Sequence, residues 1–316
     1  MLFKSMNLLK IITPLNLHTE REMFFASNLY NPKFQYYWQR NEVNLDSKGD
    51  KLHLVESIQI QDIDSIHKYA KLHFEMDDWD YVDLAIKILS KKPTQLRGQG
   101  SDFMKSEFER VFELFGLSDY TFQIVDKHGF SFRPNCHNKI MEMSKYANFQ
   151  FFSFKSEVKH EITHILRYEN GIHNNILRND DYLATEEGLA TYLQDLVKID
   201  NHSKYQHAAE YMASKVGMTS SLRDVYDYFI SLDFEPELAW QRASRHKFGF
   251  IDTSKPGDIL KPAMYFSHSR NIAKLSPEEI LRLFLGKISL KELKNYDKYK
   301  GRFDENVLKS YYFENE

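Results

Sequence analysis

The sequence holds a single cysteine, Cys136, and therefore no disulfide framework. A reducing compartment is the expectation that follows, and the chain is expected to be cytoplasmic. There is no basic excess: 42 Lys and Arg stand against 45 Asp and Glu, for a formal charge of −3. That removes the bulk electrostatic case for nucleic acid as a partner. No apolar run approaches the length of a membrane span. The N-terminal stretch is free of acids until Glu20 and carries Lys4 and Lys10 among apolar residues. Arg is missing from it, Ser is rare and no A-x-A cleavage site follows, so it reads as the first helix or strand of the fold rather than a targeting signal. Glycine and proline are scarce, at 12 and 8 of 316 residues. Their scarcity argues against a many-turned all-β fold and for a mainly helical one.

Aromatic rings are plentiful instead, with 24 Phe and 19 Tyr to supply a core. Helical spacing predicts two helices between Ile58 and Ser90 and another from Phe103 to Phe115, capped by Ser101-Asp102 and ended by Gly116. Extended segments are expected at Tyr120–Val125, Phe130–Arg133 and Lys139–Met143. Helices are then expected at Lys155–Tyr168, Thr185–Val197, Ser203–Val216, Ser220–Leu232 and Pro236–Lys247. One more is entered at Ser276-Pro277, and a polar Tyr- and Lys-rich tail follows. Residues 1–100 are expected as an N-terminal helical region. Residues 101–316 are expected as a catalytic region continuous with it in one globular unit.

Within the helix expected at Lys155–Tyr168 stands His160-Glu161-Ile162-Thr163-His164. Residues four apart share a helix face, so two imidazoles there can reach one zinc ion. The carboxylate that follows the first histidine faces the same open position and can take a proton from water. Val158, Ile162, Ile165 and Leu166 supply the apolar face such a helix needs. Three fixed positions are a loose pattern, and a surface helix with two packed or solvated histidines meets it equally. A third ligand is the stronger test. Downstream, Glu186-Glu187 opens a predicted helix and is followed by Gly188 and Ala190, small residues that would allow close packing against the metal helix. Favourable charge at a helix N-terminus accounts for both acids but not for the glycine, which costs helix stability.

The segments His160–Gly171 (HEITHILRYENG) and Tyr182–Tyr192 (YLATEEGLATY) resemble the tyrosine carboxypeptidase family, which trims C-terminal residues from tubulin in animals and whose bacterial relatives carry a QEGLA or TEEGLA motif. Shorter segments are similar as well: Asn31-Pro32-Lys33-Phe34-Gln35-Tyr36, Arg245–Gly249, Asp252–Gly257, Tyr265 and Leu285–Ser289. The resemblance implies His160, His164 and Glu187 as zinc ligands, with Glu186 the less favoured acid, and Glu161 as general base. It implies that Arg245 and Tyr265 face the substrate. A guanidinium suits a terminal carboxylate, and a tyrosine hydroxyl suits a tetrahedral oxyanion. The chain departs from the family in its H-E-I-T-H spacing, where H-E-I-G-T-H is usual, and in Phe248 and His268.

The expectation is thus an α+β, predominantly helical, zincin-like metallopeptidase with a small sheet next to the active-site helix. It would use Zn2+ to remove C-terminal residues from peptides or proteins. A non-catalytic peptide-binding module with the same fold and a zinc hydrolase of a small amide are the alternatives. The remaining motifs read as structural. Cys136-His137 are adjacent and cannot face one site, and Gly98-Gln99-Gly100 lacks the lysine of a phosphate loop. Asp77–Asp80 lacks the glycine and spacing of a calcium loop. Asn201-His202-Ser203 is a glycosylation sequence without use in a reducing compartment, and Lys294–Lys300 reads as a solvated face.

Overall fold

The computed structural model describes residues 8–36, 50–76, 79–93, 101–127, 130–147, 154–176, 182–197 and 202–314. Lys4, Asp77, Asp78, Gly98-Gln99-Gly100 and Asn201 lie outside the described residues. The chain divides into two compact units, Met1–Ser90 with His207–Met264, and Lys91–Gln206 with Tyr265–Glu316. The fold is predominantly helical with one small three-stranded sheet. Among the described residues no helix is long and apolar enough to cross a membrane.

The first unit begins with α1 (Leu8–Ile12), α2 (Leu17–Ala26), α3 (Asp50–Ile60), α4 (Ile63–His73) and α5 (Val82–Leu89). The two helices expected between Ile58 and Ser90 are α4 and α5, and α3, which ends at Ile60, precedes them unforeseen. The break between α3 and α4 falls at Gln61, which adopts a left-handed φ of 57°. Its side-chain amide donates to the carbonyls of Ile58 and Gly249, so a tertiary contact secures a turn that neither glycine nor proline announces.

The second unit opens with α6 (Ser101–Leu114), then β1 (Thr121–Val125), β2 (Phe132–Asn135) and β3 (Ile140–Ser144). The sheet order is β1-β3-β2, with β1 parallel and β2 antiparallel to β3. All three expected strands form, shifted by a residue or two. Pro134 sits on an edge strand, where a missing N–H breaks no central ladder. The Phe108 ring of α6 packs 5.5 Å from Phe122 and 5.9 Å from Phe132, which seats that helix on the sheet.

Next come α7 (Phe154–His173) and α8 (Leu183–Asp195), followed by α9 (His202–Gly217), α10 (Leu222–Ser231) and α11 (Pro236–His246). The chain finishes with α12 (Lys261–Ile272), α13 (Pro277–Leu283) and α14 (Glu305–Lys309). Val158, Ile162, Ile165 and Leu166 of α7 are buried in one core with α6, the sheet and Leu189 and Leu193 of α8. α7 runs beyond the expected end at Tyr168 and through Gly171. A β-carbon there would lie 2.6 Å from the Ile176 carbonyl oxygen, so the glycine serves a close approach. Asn175, at φ 57°, is the left-handed residue that ends the helix.

Two further features lie beyond the sequence reading. α12 is unforeseen because Pro262, Ala263, Met264 and Phe266 to Ser269 are all buried, and a helix covered on nearly every side carries no apolar stripe. The polar tail proves to be packed at its end. Tyr312 is 1% exposed and its hydroxyl lies 2.9 Å from Thr163 Oγ1, beneath the metal-motif helix. Lys294, Lys298 and Lys300 are exposed, as a solvated face should be.

In the first unit the motifs at Asn31–Tyr36 and Asp252–Gly257 meet. Lys33 bridges Asp252 through the backbone and also pairs with its carboxylate, and Thr253 donates to the Pro32 carbonyl. The Tyr36 hydroxyl accepts from the Gly249 N–H at 2.8 Å and donates to the Phe250 carbonyl at 3.2 Å. These segments therefore build a strap of main-chain and side-chain bonds within their own unit.

Candidate metal centre

Regular α-helix from Phe154 to His173 places His160 and His164 one turn apart, with ring centroids 5.0 Å from each other. α8 lies against α7 and brings Glu187 to them. Glu187 Oε2 stands 3.7 Å from His160 Nε2 and 3.6 Å from His164 Nε2. One donor atom from each of the three residues falls within 4.8 Å of the others. Ligands on a tetrahedral zinc, at bond lengths of roughly 2.0–2.1 Å, are about 3.4 Å apart. The two imidazole–carboxylate separations are close to that value, and two imidazoles with a carboxylate suit zinc chemically. The residues therefore fit the ion.

Both imidazoles are held from behind. His160 Nδ1 lies 2.9 Å from Gln194 Oε1, and the Gln194 amide nitrogen donates to Glu157. His164 Nδ1 lies 2.9 Å from Glu186 Oε1. The other Glu186 oxygen accepts from Arg167 Nη1 at 2.6 Å, and Lys287 pairs with the same carboxylate. Arg167 is fully buried and spends its remaining donors on the carbonyls of Leu283, Gly286 and Ile288, which anchors α7 to the segment after α13.

The electrostatics favour a cation between these groups. Burial works against the protonation of His160, but the hydrogen bond it donates to Glu187 and the charges of Glu161, Glu187 and Glu157 outweigh it and raise the pKa to about 9. Burial pushes the Glu161 carboxyl up; His160 and His164 offset this in part, and Glu187 adds to it. Burial acts in the same upward direction on Glu186, yet Lys287, Arg167 and His164 drive it far below the usual carboxylate range. The Glu186 charge is thus compensated by Lys287 and Arg167, whereas the charges acting on Glu161 are those of His160, His164 and Glu187.

The second unit accordingly gathers His160, His164, Glu187 and Glu161. Tyr265 of α12 joins them, its ring centroid 6.4 Å from that of His160. Arg245 lies on α11 in the first unit, half-buried, and its side chain makes no hydrogen bond or ion pair among the described residues. The closest neighbour of Gly188 is not on the metal helix. The three atoms nearest to a β-carbon there belong to His268 of α12, so the tightest approach that the glycine permits is that of α12. Gln194, Glu157, Arg167 and Lys287 escape a reading of the motifs alone. A weak signal exists for two of them: Gln194 follows Glu187 by two helical turns on one face, and Glu157 precedes His160 by three residues. No protein-family model matches the chain, and comparison with curated proteins finds no match either.

Proposed function

We propose that this chain is a zinc-dependent metallopeptidase of zincin-like arrangement that removes C-terminal residues from peptides or proteins. One observation carries the reading: His160 Nε2 and His164 Nε2 converge on a single oxygen of Glu187 at 3.7 and 3.6 Å. The buried acid Glu161 is coupled to all three. A zinc ion held by those three side chains supplies a Lewis acid that polarises a peptide carbonyl and acidifies water. Glu161 takes the proton from the attacking water and delivers it to the leaving amine. Its raised pKa suits a group that must accept a proton and then give it up. The Tyr265 hydroxyl, carried on the ring next to His160, donates to the developing oxyanion.

Action at a C-terminus rests on the resemblance of His160–Gly171 and Tyr182–Tyr192 to the tyrosine carboxypeptidases. The lone cysteine suits a reducing, cytoplasmic setting for this activity.

The test joins metal analysis with product analysis. The purified protein should carry about one zinc per chain, and His164→Ala should carry none. A mixed peptide library should lose residues stepwise from its C-termini. Glu161→Gln should keep the zinc and lose the hydrolysis. Internal cleavage would replace the exopeptidase assignment, and a parent protein with neither zinc nor hydrolysis would refute the reading.

A further inference from the structure

The hydrogen bonds behind His160 form a chain with a direction. Glu157 and His160 sit three residues apart on α7, and Gln194 reaches in from α8 to touch both. An ionised carboxylate only accepts hydrogen bonds, so the Gln194 group facing Glu157 is the amide NH2. The opposite end of the same planar amide is then the carbonyl oxygen, and this end faces His160 Nδ1 at 2.9 Å. A carbonyl only accepts, so Nδ1 carries a proton, and in the neutral imidazole that a metal requires Nε2 is the nitrogen with the lone pair, on the side of Glu187.

We infer that Gln194, locked in orientation by Glu157, is the positioning residue that sets the tautomer of His160 and presents its Nε2 to the metal. This rests on the zinc reading above. The choice of an amide follows from the charge around it. Glu161, Glu187 and Glu157 already act on His160. A fourth carboxylate directly on Nδ1 would crowd like charges into a buried space, while an amide oxygen supplies the acceptor without a charge. His164 is held differently, by the Glu186 carboxylate, and there Arg167 and Lys287 neutralise the charge. Gln194 also differs from Glu186 in what it supports. Both hydrogen bonds of its side chain belong to this relay, whereas Glu186 ties α7 to the segment around Lys287 as well. Gln194 can therefore be altered without cutting a buried ion pair.

Metal affinity decides the matter, read by competition with a chromophoric zinc chelator rather than by hydrolysis. Gln194→Leu should bind zinc about ten- to a hundredfold more weakly than the parent, the usual cost of losing such a partner. The exchange variant, Glu157→Gln with Gln194→Glu, conserves charge and restores an acceptor at Nδ1. It should recover most of the lost affinity. Two-bond proton–nitrogen spectra of the zinc-loaded parent should show His160 protonated at Nδ1. Circular dichroism establishes that each variant is folded, and the exchange variant carries the test if Gln194→Leu is not. Parent-like affinity in Gln194→Leu, or no recovery in a folded exchange variant, overturns the role of Gln194 and leaves the zinc reading standing. A parent that takes up no zinc overturns both.

Discussion

Gly188 and His268 pass so closely that a β-carbon on residue 188 would lie 2.6 Å from His268 Cβ and 2.9 Å from its carbonyl carbon. A glycine inside a helix costs about 0.5–1 kcal/mol relative to alanine, so on propensity alone Gly188→Ala should stabilise α8. The contact reverses that sign. One of the blocking atoms is main chain, and α8 and α12 must move apart to admit a methyl group. Gly188→Ala is expected to destabilise the protein by about 1–3 kcal/mol, as overpacking does. Urea unfolding measures it, and an unchanged or higher midpoint would show that the helices separate at no cost.

The metal-motif helix is legible in the chain because its apolar residues recur at helical spacing, and Val158, Ile162, Ile165 and Leu166 are all buried as that pattern requires. The three strands are legible for a similar reason, since short β-rich runs are separated by turn residues. α12 is not, because burial around most of its circumference erases the period. The break at Gln61 is not, because a distant carbonyl of Gly249 helps to hold the turn. At the site, the spacing of His160, Glu161 and His164 is local and can be read directly. Which of Glu186 and Glu187 turns toward the two Nε2 atoms depends on how α8 faces α7, and Lys287, distant in the sequence, pairs with Glu186 together with Arg167.

The two adjacent glutamates should separate cleanly under mutation. Glu186→Gln removes the counter-charge of Arg167, which is fully buried, and leaves Lys287 without its partner. Breaking such a buried pair is expected to cost about 3–5 kcal/mol. Glu187→Gln removes a charge that repels Glu161 and makes no comparable demand on the fold. It is expected to unfold near the urea midpoint of the metal-free parent and to retain no zinc by elemental analysis. A destabilised Glu187→Gln protein that keeps its metal, beside a stable Glu186→Gln protein that loses it, would exchange the two roles.

A buried histidine in the first unit should govern the alkaline limb of stability. His246 Nε2 lies 2.9 Å from Glu210 Oε2, and His246 Nδ1 lies 2.8 Å from Asp258 Oδ2 and 3.1 Å from Ser214 Oγ. Burial opposes its charge, but Asp258 and Glu210 outweigh burial and raise the pKa from 6.5 to about 9. A pKa raised by folding gives stability that is fully present below about 6.5 and is lost as pH rises through about 9. The amount is on the order of 3 kcal/mol. Lys247 acts with the opposite sign, since burial lowers it from 10.5 to about 8. Comparing the parent with His246→Gln cancels that contribution, because both proteins carry Lys247. The stability difference between them should shrink steadily from pH 6.5 to pH 9, and a difference independent of pH would mean that His246 is neutral in the fold.

Cys136 should be slow toward thiol reagents while the protein is folded. Burial pushes its thiol up to about 11, and Lys287 lowers it only in part. The thiolate is the reactive form, so at neutral pH the folded protein offers about a hundredfold less of it than an ordinary cysteine does. Reaction with a chromogenic disulfide reagent at pH 7.4 is expected to be about a hundredfold slower or more in buffer than in urea, and to speed up as the pH is raised toward 11. Cys136→Ser should hydrolyse peptides at the parent's rate, since no step above uses the thiol. Rapid modification of the folded protein, or loss of hydrolysis in that variant, would bring the cysteine into the chemistry and displace the water-activating role of Glu161.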